Sequence, residues 1–286
     1  MPTRVDAALV RDGLARSRKH AAELIAAGRV TVDGAPVRRP AAPLGDDQCA
    51  RVEPDRAGAP ADDWASRGAH KLLGALEAFE DVEVEGRDCL DAGASTGGFT
   101  DVLLRRGARR VLALDVGHDQ LVDRLRADPR VEVREGVNVR YLTPADVDPA
   151  PALVVADLSF ISLTLVLPAL SAVAAPGADL LLMVKPQFEV GRERLGSGGV
   201  VRSAEQRAEA VLAVAATAER HGLAVVGVAR SPLPGPSGNV EYFLRLRRDS
   251  DAATGAPRTH DTGAALTGDA LAARVRAVVT EQEEGA

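Results

Sequence analysis

The segment that most constrains the fold is Cys89-Leu-Asp-Ala-Gly-Ala-Ser-Thr-Gly-Gly-Phe-Thr100, where an apolar run ends in a cluster of small residues. Residues 84–91 are typical of a buried strand, and the apolar run 99–104 is typical of the helix that follows. The glycines between them permit close backbone approaches that a Cβ atom would prevent. This order of elements predicts a doubly wound α/β sheet, in which ligands bind beyond the carboxyl ends of the strands.

Three kinds of site use such a turn. A dinucleotide-binding turn has the pattern G-x-G-x-x-G, whereas this chain carries Ser95 in place of the second glycine. S-adenosylmethionine has no pyrophosphate and tolerates a hydroxyl there, and Asp115, at the end of the next predicted strand, suits its ribose hydroxyls. A nucleophile elbow over 93–97 would need a later acid and histidine on strand-end loops, and no such pair is evident. The turn favours S-adenosylmethionine, with a glycine turn that binds nothing as the alternative.

The composition is typical of a cytoplasmic globular protein. A length of 286 residues is sufficient for one large domain and a smaller one. Two cysteines form neither a disulfide framework nor a metal site, so no metal is expected. No apolar run approaches the ~20 residues that span a bilayer, and no apolar core of a signal peptide follows the N-terminus. We expect a monomer without a membrane partner.

Charge is distributed unevenly along the chain. Residues 1–39 carry eight Lys and Arg against four Asp and Glu, a local charge of +4 within a chain of net charge −6. Such asymmetry indicates a basic binding module attached to an acidic body. Apolar residues at helical spacing over 5–10 and 17–25, then a short strand and an Asp-Gly turn over 29–34, predict a small α+β module there.

This module resembles the αL-type RNA-binding fold first seen in a ribosomal protein of the small subunit. The resemblance is carried by Arg4, Asp6, Leu9, Gly13, Leu14, Ser17, Arg18, Ala21, Ile25, Gly28, Val30, Val32 and Gly34. We expect RNA to contact Arg4, Arg18, Lys19 and Arg29, and also Arg67 near the cleft of the second domain. A solvated helix face or loop is the alternative for these residues.

Four polar residues stand where packing alone would have selected other side chains. Strands are predicted at 87–91, 110–115, 131–134, 152–157, 179–184, 223–230 and 241–247. Asp157 and Lys185 come at the ends of two of them, and Glu241 opens the last one. Lys71 lies on the helix predicted over 68–79. Because strand-end residues of such a sheet converge on one cleft, these side chains are expected to meet, although a structural ion pair would explain each of them singly.

At these residues the chain resembles the TlyA family of ribosomal RNA ribose 2′-O-methyltransferases, historically labelled haemolysins, whose catalytic domain is FtsJ-like. The matching blocks are SRGAHKL at 66–72, DAGASTGGFT at 91–100, VVADLSFISL at 154–163, VKPQFEVG at 184–191 and SPLPGPSGNVEYF at 231–243. The resemblance implies an α/β fold: a Rossmann-like seven-stranded methyltransferase sheet with a small N-terminal α+β RNA-binding domain. It also implies a catalytic tetrad formed by Lys71, Asp157, Lys185 and Glu241.

The cofactor that the resemblance implies is S-adenosylmethionine. The residues expected to bind it are Gly93, Ser95, Gly97, Gly98, Phe99, Asp115, Asn138, Asp157 and Leu158. An asparagine after a strand, such as Asn138, is also a common turn residue. Lys185 is expected to orient or deprotonate the ribose 2′-hydroxyl while the two acids hold the lysines, with in-line positioning as the larger effect.

The implied substrate is cytidine in ribosomal RNA, and the implied partners are ribosomal RNA and ribosomal subunits. A non-catalytic assembly factor and a membrane-active haemolysin are the alternatives. The complete tetrad and glycine turn argue against the first, and the lack of a spanning or strongly amphipathic segment argues against the second. Because only 3% of the residues are aromatic, recognition is expected to depend on RNA shape and charge.

The predicted organisation has five parts. They are an RNA-binding domain at 1–53, a linker at 54–64, an FtsJ-like methyltransferase domain at 65–248, a disordered segment at 249–268 and a C-terminal helix and tail at 269–286. The chain departs from the family at Asp62-Asp63, where a basic residue usually precedes the tryptophan, and in the length of the segment at 249–268.

Overall fold

The structure is a computed structural model. It describes residues 3–12, 14–15, 18–26, 28–45, 48–52, 64–196, 198–235, 237–250 and 264–280. The chain divides into two compact units, Met1–Asp63 and Trp64–Ala286. Of the predicted linker at 54–64, Trp64 alone is among the described residues, and most of the predicted segment at 249–268 lies outside them.

The first unit is a small α+β module. Its elements are β1 (Thr3–Arg4), α1 (Val5–Arg11), α2 (Arg18–Ala26), β2 (Val30–Val32), β3 (Ala35–Pro36), β4 (Pro43–Leu44) and β5 (Ala50–Val52). β1 pairs with β4, and β2 lies between β3 and β5 in an antiparallel sheet. The predicted Asp-Gly turn joins β2 to β3, and both of its residues have positive φ, as a type I′ hairpin requires. Val5, Leu9, Ile25 and Val30 from both helices and the sheet form its buried core.

The second unit alternates strands and helices. Its elements are α3 (Gly68–Ala78), β6 (Asp88–Ala92), α4 (Gly98–Arg105), β7 (Arg110–Leu114), α5 (Asp123–Arg126), β8 (Val131–Arg134), β9 (Leu153–Ala156), α6 (Leu163–Val173), β10 (Asp179–Val184), α7 (Pro186–Glu189), α8 (Ala204–Arg220), β11 (Leu223–Arg230), β12 (Tyr242–Arg248) and α9 (Gly268–Thr280). Each of the seven predicted strands is present, and the ends differ by at most one residue from the predicted list, although the wider range 84–91 begins four residues before β6. Short 3-10 turns occur at Val139–Tyr141, Pro144–Asp146 and Arg192–Arg194.

The seven strands form one sheet in the order β11-β12-β10-β9-β6-β7-β8. β12 is antiparallel to both of its neighbours, and the pairs from β10 to β8 are parallel. The chain runs outward from β6 through β7 and β8, then returns to the other side of β6 as β9. Such a reversal opens a crevice beyond the carboxyl ends of β6 and β9. The predicted fold class, a Rossmann-like seven-stranded sheet with a small N-terminal α+β domain, is confirmed.

Helices cover both faces of this sheet, which is why its central strands are apolar on both sides. All six residues of β10 are buried. Alternate residues of that strand face opposite layers: Leu182 belongs to the core beneath α6, α8 and α9, and Leu181 belongs to the core beneath α3 and α4. Val275 places α9, predicted at 269–281, in the first of these cores. No helix in the described part of the chain has the length and apolar character needed to cross a membrane.

Candidate active site

The four polar residues singled out in the sequence come together at the carboxyl edge of the sheet. Asp157 follows β9 and Lys185 follows β10, so adjacent parallel strands deliver both side chains to the crevice. Glu241 directly precedes β12, which runs in the opposite direction, and therefore reaches the same edge. Lys71 lies on α3, a helix that packs against one face of the sheet. The topology thus brings together residues separated by up to 170 positions.

Asp157 links the two lysines. Its Oδ1 atom lies 2.6 Å from Nζ of Lys185, and its Oδ2 atom lies 3.6 Å from Nζ of Lys71. The Lys185 ammonium also donates a hydrogen bond of 2.9 Å to Oγ of Ser159, two residues after Asp157. The contact with Asp157 is an ion pair without hydrogen-bond geometry, and an ammonium has three donors, so Lys185 retains donor capacity for a further acceptor beyond Ser159.

Glu241 holds the other lysine. Its Oε2 atom accepts a 2.6 Å hydrogen bond from Nζ of Lys71, which also lies 3.6 Å from Sδ of Met183. The Glu241 side chain has no exposed surface, and both lysine side chains are more than nine-tenths buried. The loop that precedes Glu241 packs closely against this side chain, because a Cβ atom on Gly235 would lie 2.5 Å from Oε1 of Glu241. A cavity of about 370 Å³ opens beside Glu241, between the end of β11 and the start of β12.

The charges of these four residues balance. An isolated ion is costly to remove from water, and removal of one member of a buried pair leaves its partner uncompensated. Here two ammonium groups face two carboxylates, and Asp157, the most exposed of the four with 21% of its side chain accessible, opens the set toward solvent. The arrangement can hold a polar substrate group next to Lys185 without an unbalanced charge.

The glycine turn after β6 lies directly against this cluster. Gly93 has φ = 89°, and a Cβ atom there would lie 3.0 Å from the carbonyl oxygen of Asp157. Gly97 has φ = 98° and is the N-cap residue of α4, and a Cβ atom there would collide with Leu125. At Gly98 a Cβ atom would lie 3.0 Å from the backbone nitrogen of Ala69 in α3. Side chains at Gly93 and Gly98 would push the turn away from the loop of Asp157 and from α3, which carry tetrad residues.

Asp115 closes the other side of the turn. Its carboxylate accepts hydrogen bonds from the backbone nitrogen of Ser95 (2.8 Å) and from that of Gly117 (2.7 Å). Each carboxylate oxygen retains a second lone pair, so ribose hydroxyls can still donate to it. The Ser95 hydroxyl donates to Oε1 of Gln120 at 3.1 Å. The two residues therefore form one structured rim of the crevice.

Three other predicted cofactor residues have evident structural roles. The Asn138 side chain accepts a hydrogen bond from the backbone nitrogen of Arg140 and caps a 3-10 turn, as the turn-residue alternative suggested. Phe99 is buried and stacks with Phe243 at 6.2 Å between ring centroids. A contact between Phe99 and a cofactor would therefore involve its backbone. Leu158 is partly buried, and its side chain lies beside Gly93.

Asp91 was not among the predicted site residues, although it ends the strand that leads into the glycine turn. Oγ1 of Thr100 donates a 2.6 Å hydrogen bond to its Oδ2 atom. Its Oδ1 atom is buried and has no hydrogen-bond partner among the described residues. Burial raises the pKa of Asp91 to about 7. An acidic residue at the end of an apolar strand is the sequence signal that would have identified it.

Phe160 was also missed. Its side chain is 91% exposed, and its φ of 65° is rare for a residue with a bulky side chain. The ring lies 5.4 Å from that of Phe188, at an interplanar angle of 47°. The two phenylalanines follow Asp157 and Lys185 by three residues each, so an aromatic surface adjoins the tetrad. The sequence shows that only 3% of the residues are aromatic, but this composition does not indicate that one of them lies beside the tetrad.

The predicted RNA-binding residues of the first unit are partly ion-paired. Asp6 is buried, and its Oδ2 atom lies 2.9 Å from Nη2 of Arg4 and 3.1 Å from Nη2 of Arg18. The Arg4 hydrogen bond is the main cause that lowers the pKa of Asp6. More than half of each arginine side chain remains exposed, at 51% and 59%. The two guanidinium groups are thus held side by side with surface left for an anion.

The remaining RNA-binding predictions are placed as follows. Lys19 lies on α2, but its side chain is outside the described ones. Arg29 directly precedes β2 and is partly buried. In the second unit, Arg67 is exposed at the start of α3, the helix that carries Lys71. Within the described residues, no three His, Cys, Asp or Glu side chains are grouped to hold a metal ion.

Comparison with known proteins places this geometry in a family. Residues 64–248 match the FtsJ-like methyltransferase family, and residues 3–48 match the S4 domain. The chain is 58% identical over 258 residues to the 16S/23S rRNA (cytidine-2′-O)-methyltransferase TlyA of Mycobacterium tuberculosis. The aligned residues cover 90% of this chain and 94% of that protein. It is 36% identical to Hemolysin A of Brachyspira hyodysenteriae over 85% of this chain and 99% of that protein.

A solved structure supports the same assignment over the full length. A protein described as a hemolysin from Streptococcus thermophilus superposes with a TM-score of 0.72 at 35% sequence identity, covering 99% of this chain and 97% of that one. The chain therefore belongs to the TlyA family of methyltransferases, with an S4 domain followed by an FtsJ-like methyltransferase domain.

Proposed function

We propose that this protein transfers a methyl group from S-adenosylmethionine to the ribose 2′-oxygen of a cytidine in ribosomal RNA. The observation that carries the proposal is the Asp157 carboxylate between the buried ammonium groups of Lys71 and Lys185, directly against the glycine turn. The name of the 58% identical relative supplies the substrate class. We assign the chemistry to residues 65–248, RNA binding to residues 1–53, and the cytoplasm as the location.

The crevice fits S-adenosylmethionine. When bound, this cofactor supplies a methyl group on a positively charged sulfur. Gly93, Gly97 and Gly98 let the turn pack closely against its neighbours, and Asp115 at its rim offers acceptors for the ribose hydroxyls of the cofactor. The Oδ1 atom of buried Asp91, near the glycine turn, has no hydrogen-bond partner among the described residues and remains an acceptor for a ligand group that donates a hydrogen bond. The proposed cofactor-binding set is completed by Ser95, Phe99, Asn138, Asp157 and Leu158. Phe99 contributes its backbone.

Lys185 is the proposed contact of the reacting hydroxyl. Its ammonium forms an ion pair with Asp157 and donates a hydrogen bond to Ser159, and we place the 2′-oxygen at a remaining donor position. The reaction forms the bond between this oxygen and the methyl carbon and breaks the carbon–sulfur bond, whose electron pair stays on sulfur. The hydroxyl proton passes to solvent water, because Lys185 holds the oxygen as a protonated ammonium that has no acceptor. Asp157 holds Lys185 in place by an ion pair. The other two tetrad residues, Lys71 and Glu241, complete the balance of charge. Alignment of the oxygen with the methyl group is the main catalytic contribution, because orientation can supply much of a barrier reduction.

Phe160 is the proposed platform for the target base. A 2′-hydroxyl within a folded RNA reaches a buried site when its nucleotide turns out of its stack, and aromatic side chains hold such unstacked bases. Phe160 projects into solvent three residues beyond Asp157, supported by Phe188. Stacking of the target base on Phe160 thus adds to the recognition of RNA shape and charge.

The proposed function is tested by methyl transfer from tritium-labelled S-adenosylmethionine to intact ribosomes and to separated subunits, followed by nucleoside analysis. We expect label in 2′-O-methylcytidine. Lys185→Ala should abolish transfer because it removes the group that holds the hydroxyl, while the affinity for S-adenosylmethionine changes by no more than a few-fold. Label in no RNA would favour a non-catalytic assembly factor, and normal turnover of the variant would contradict the role of Lys185.

Phe160→Ala should lower kcat/KM for the ribosomal substrate by about 10- to 100-fold, which corresponds to the ~1–3 kcal/mol that one base stacked on an aromatic ring contributes. Phe160→Trp keeps an aromatic face and should retain most of the activity. Because the side chain is 91% exposed, neither variant should lower the thermal stability appreciably. Equal activity of the alanine and tryptophan variants would show that no base stacks there.

Arg18→Ala should weaken binding to ribosomal subunits and reduce the slope of log K against log salt concentration by about 1, as expected for one lost phosphate contact. Arg4→Ala should act similarly, since Asp6 holds both guanidinium groups side by side. Arg220→Ala is the matched control, because Arg220 is exposed at the end of α8, at the opposite edge of the sheet from the tetrad. An unchanged salt slope in both test variants would exclude these phosphate contacts.

A further inference from the structure

Two segments that carry tetrad residues run side by side beyond the sheet. The first is the loop from Asp157 to the start of α6, and the second extends from Lys185 through α7. They are joined at the tetrad by Asp157 and Lys185, and further out by the rings of Phe160 and Phe188. A third connection lies at the far end of both segments, where Glu189 reaches α6.

Glu189 makes this third connection with both carboxylate oxygens. Its Oε2 atom accepts a hydrogen bond of 2.5 Å from the hydroxyl of Ser162, and its Oε1 atom accepts one of 2.8 Å from the backbone nitrogen of Leu163. Ser162 in turn caps α6, since its Oγ atom accepts a 3.1 Å hydrogen bond from the backbone nitrogen of Thr164. The carboxylate therefore binds the positive end of the α6 dipole from a neighbouring segment.

The loop of residues 157–163 contains a backbone conformation that its surroundings must hold. Phe160 has a left-handed backbone conformation that a residue with a large side chain adopts only where its surroundings hold it. Its side chain is almost fully exposed, so packing of the ring against a core does not provide that support. The loop is held at Asp157 and Ser159 on one side of Phe160 and at Ser162 and Leu163 on the other. Glu189 supplies both bonds of the second attachment.

We infer that Glu189 is a positioning residue, which holds the loop of residues 157–163 against Lys185 and thereby sets the geometry of Asp157, Ser159 and Phe160 for methyl transfer. This inference rests on the proposed function. It differs from a purely stabilising role, because the loop ends beside the reacting group. A small displacement of a positioned group can cost a large factor in rate even when the displaced contact lies away from the chemistry.

The burial of Glu189 is consistent with this role. Desolvation raises the pKa of its carboxyl, against the opposing effect of the hydrogen bonds from Ser162 and Leu163. Glu189 lies four residues after Lys185, within α7, so any change in its attachment is passed directly to the segment that begins with Lys185.

The test compares three variants under the methyl-transfer assay. Glu189→Ala removes both attachments and should lower kcat by roughly 10- to 100-fold, with the KM for S-adenosylmethionine within about threefold of wild type. Glu189→Gln should recover most of kcat, since its amide oxygen can accept from Leu163 and its amide nitrogen can donate to Ser162. Ser171→Ala is the matched control: it removes a buried 2.7 Å hydrogen bond to the carbonyl of His221 near the other end of α6.

Hydrogen exchange of the backbone amides provides a second readout that needs no activity. Glu189→Ala should accelerate exchange over residues 158–163, and Ser171→Ala should not. Wild-type kcat in Glu189→Ala, or an equal loss of kcat in Glu189→Ala and Ser171→Ala, would overturn the positioning role. Inactivity of the wild-type protein on all ribosomal substrates would overturn the proposed function instead, while exchange would still show whether Glu189 fastens the loop.

Discussion

The structure of the site depends on the ion pairs that Asp157 makes with two lysines from different parts of the chain. Lys185 arrives at the end of β10 and Lys71 from the helix that covers the sheet, and each would be a costly buried cation without a partner. Asp157 serves both, and Glu241 completes the balance at Lys71. The cluster therefore joins β9, β10, α3 and the start of β12 at one point.

The same residue connects this cluster to the cofactor turn. The carbonyl group of Asp157 lies so close to Gly93 that a Cβ atom there would approach it to 3.0 Å, and the side chain of Asp157 faces the lysines. In a doubly wound sheet the reversal of strand order places these two loops on either side of one crevice. In the proposed mechanism, cofactor binding and substrate orientation share one backbone segment, and a displacement of that segment would affect both.

Much of this site could be predicted from the sequence, and the reasons are physical. The strands are continuous apolar runs because helices cover both sheet faces, and Asp157, Lys185 and Glu241 interrupt the apolar pattern where strands end or begin. Other features depend on contacts between distant residues. The burial of Phe99 against Phe243 and the shared attachment of Arg4 and Arg18 to Asp6 follow from tertiary packing, which local pattern does not encode. The exposed ring of Phe160 depends on a backbone conformation that no propensity favours.

The most direct measurement is the single-turnover rate of methyl transfer by Asp157→Asn with saturating S-adenosylmethionine and ribosomal subunits. Asparagine keeps the size and a hydrogen-bonding oxygen of aspartate but removes the charge that pairs both lysines. The account predicts a loss of roughly 100-fold or more in this rate, because the group that orients the hydroxyl is no longer fixed. A rate close to that of the wild type, in a variant of unchanged thermal stability, would contradict the central role of the Asp157 ion pairs.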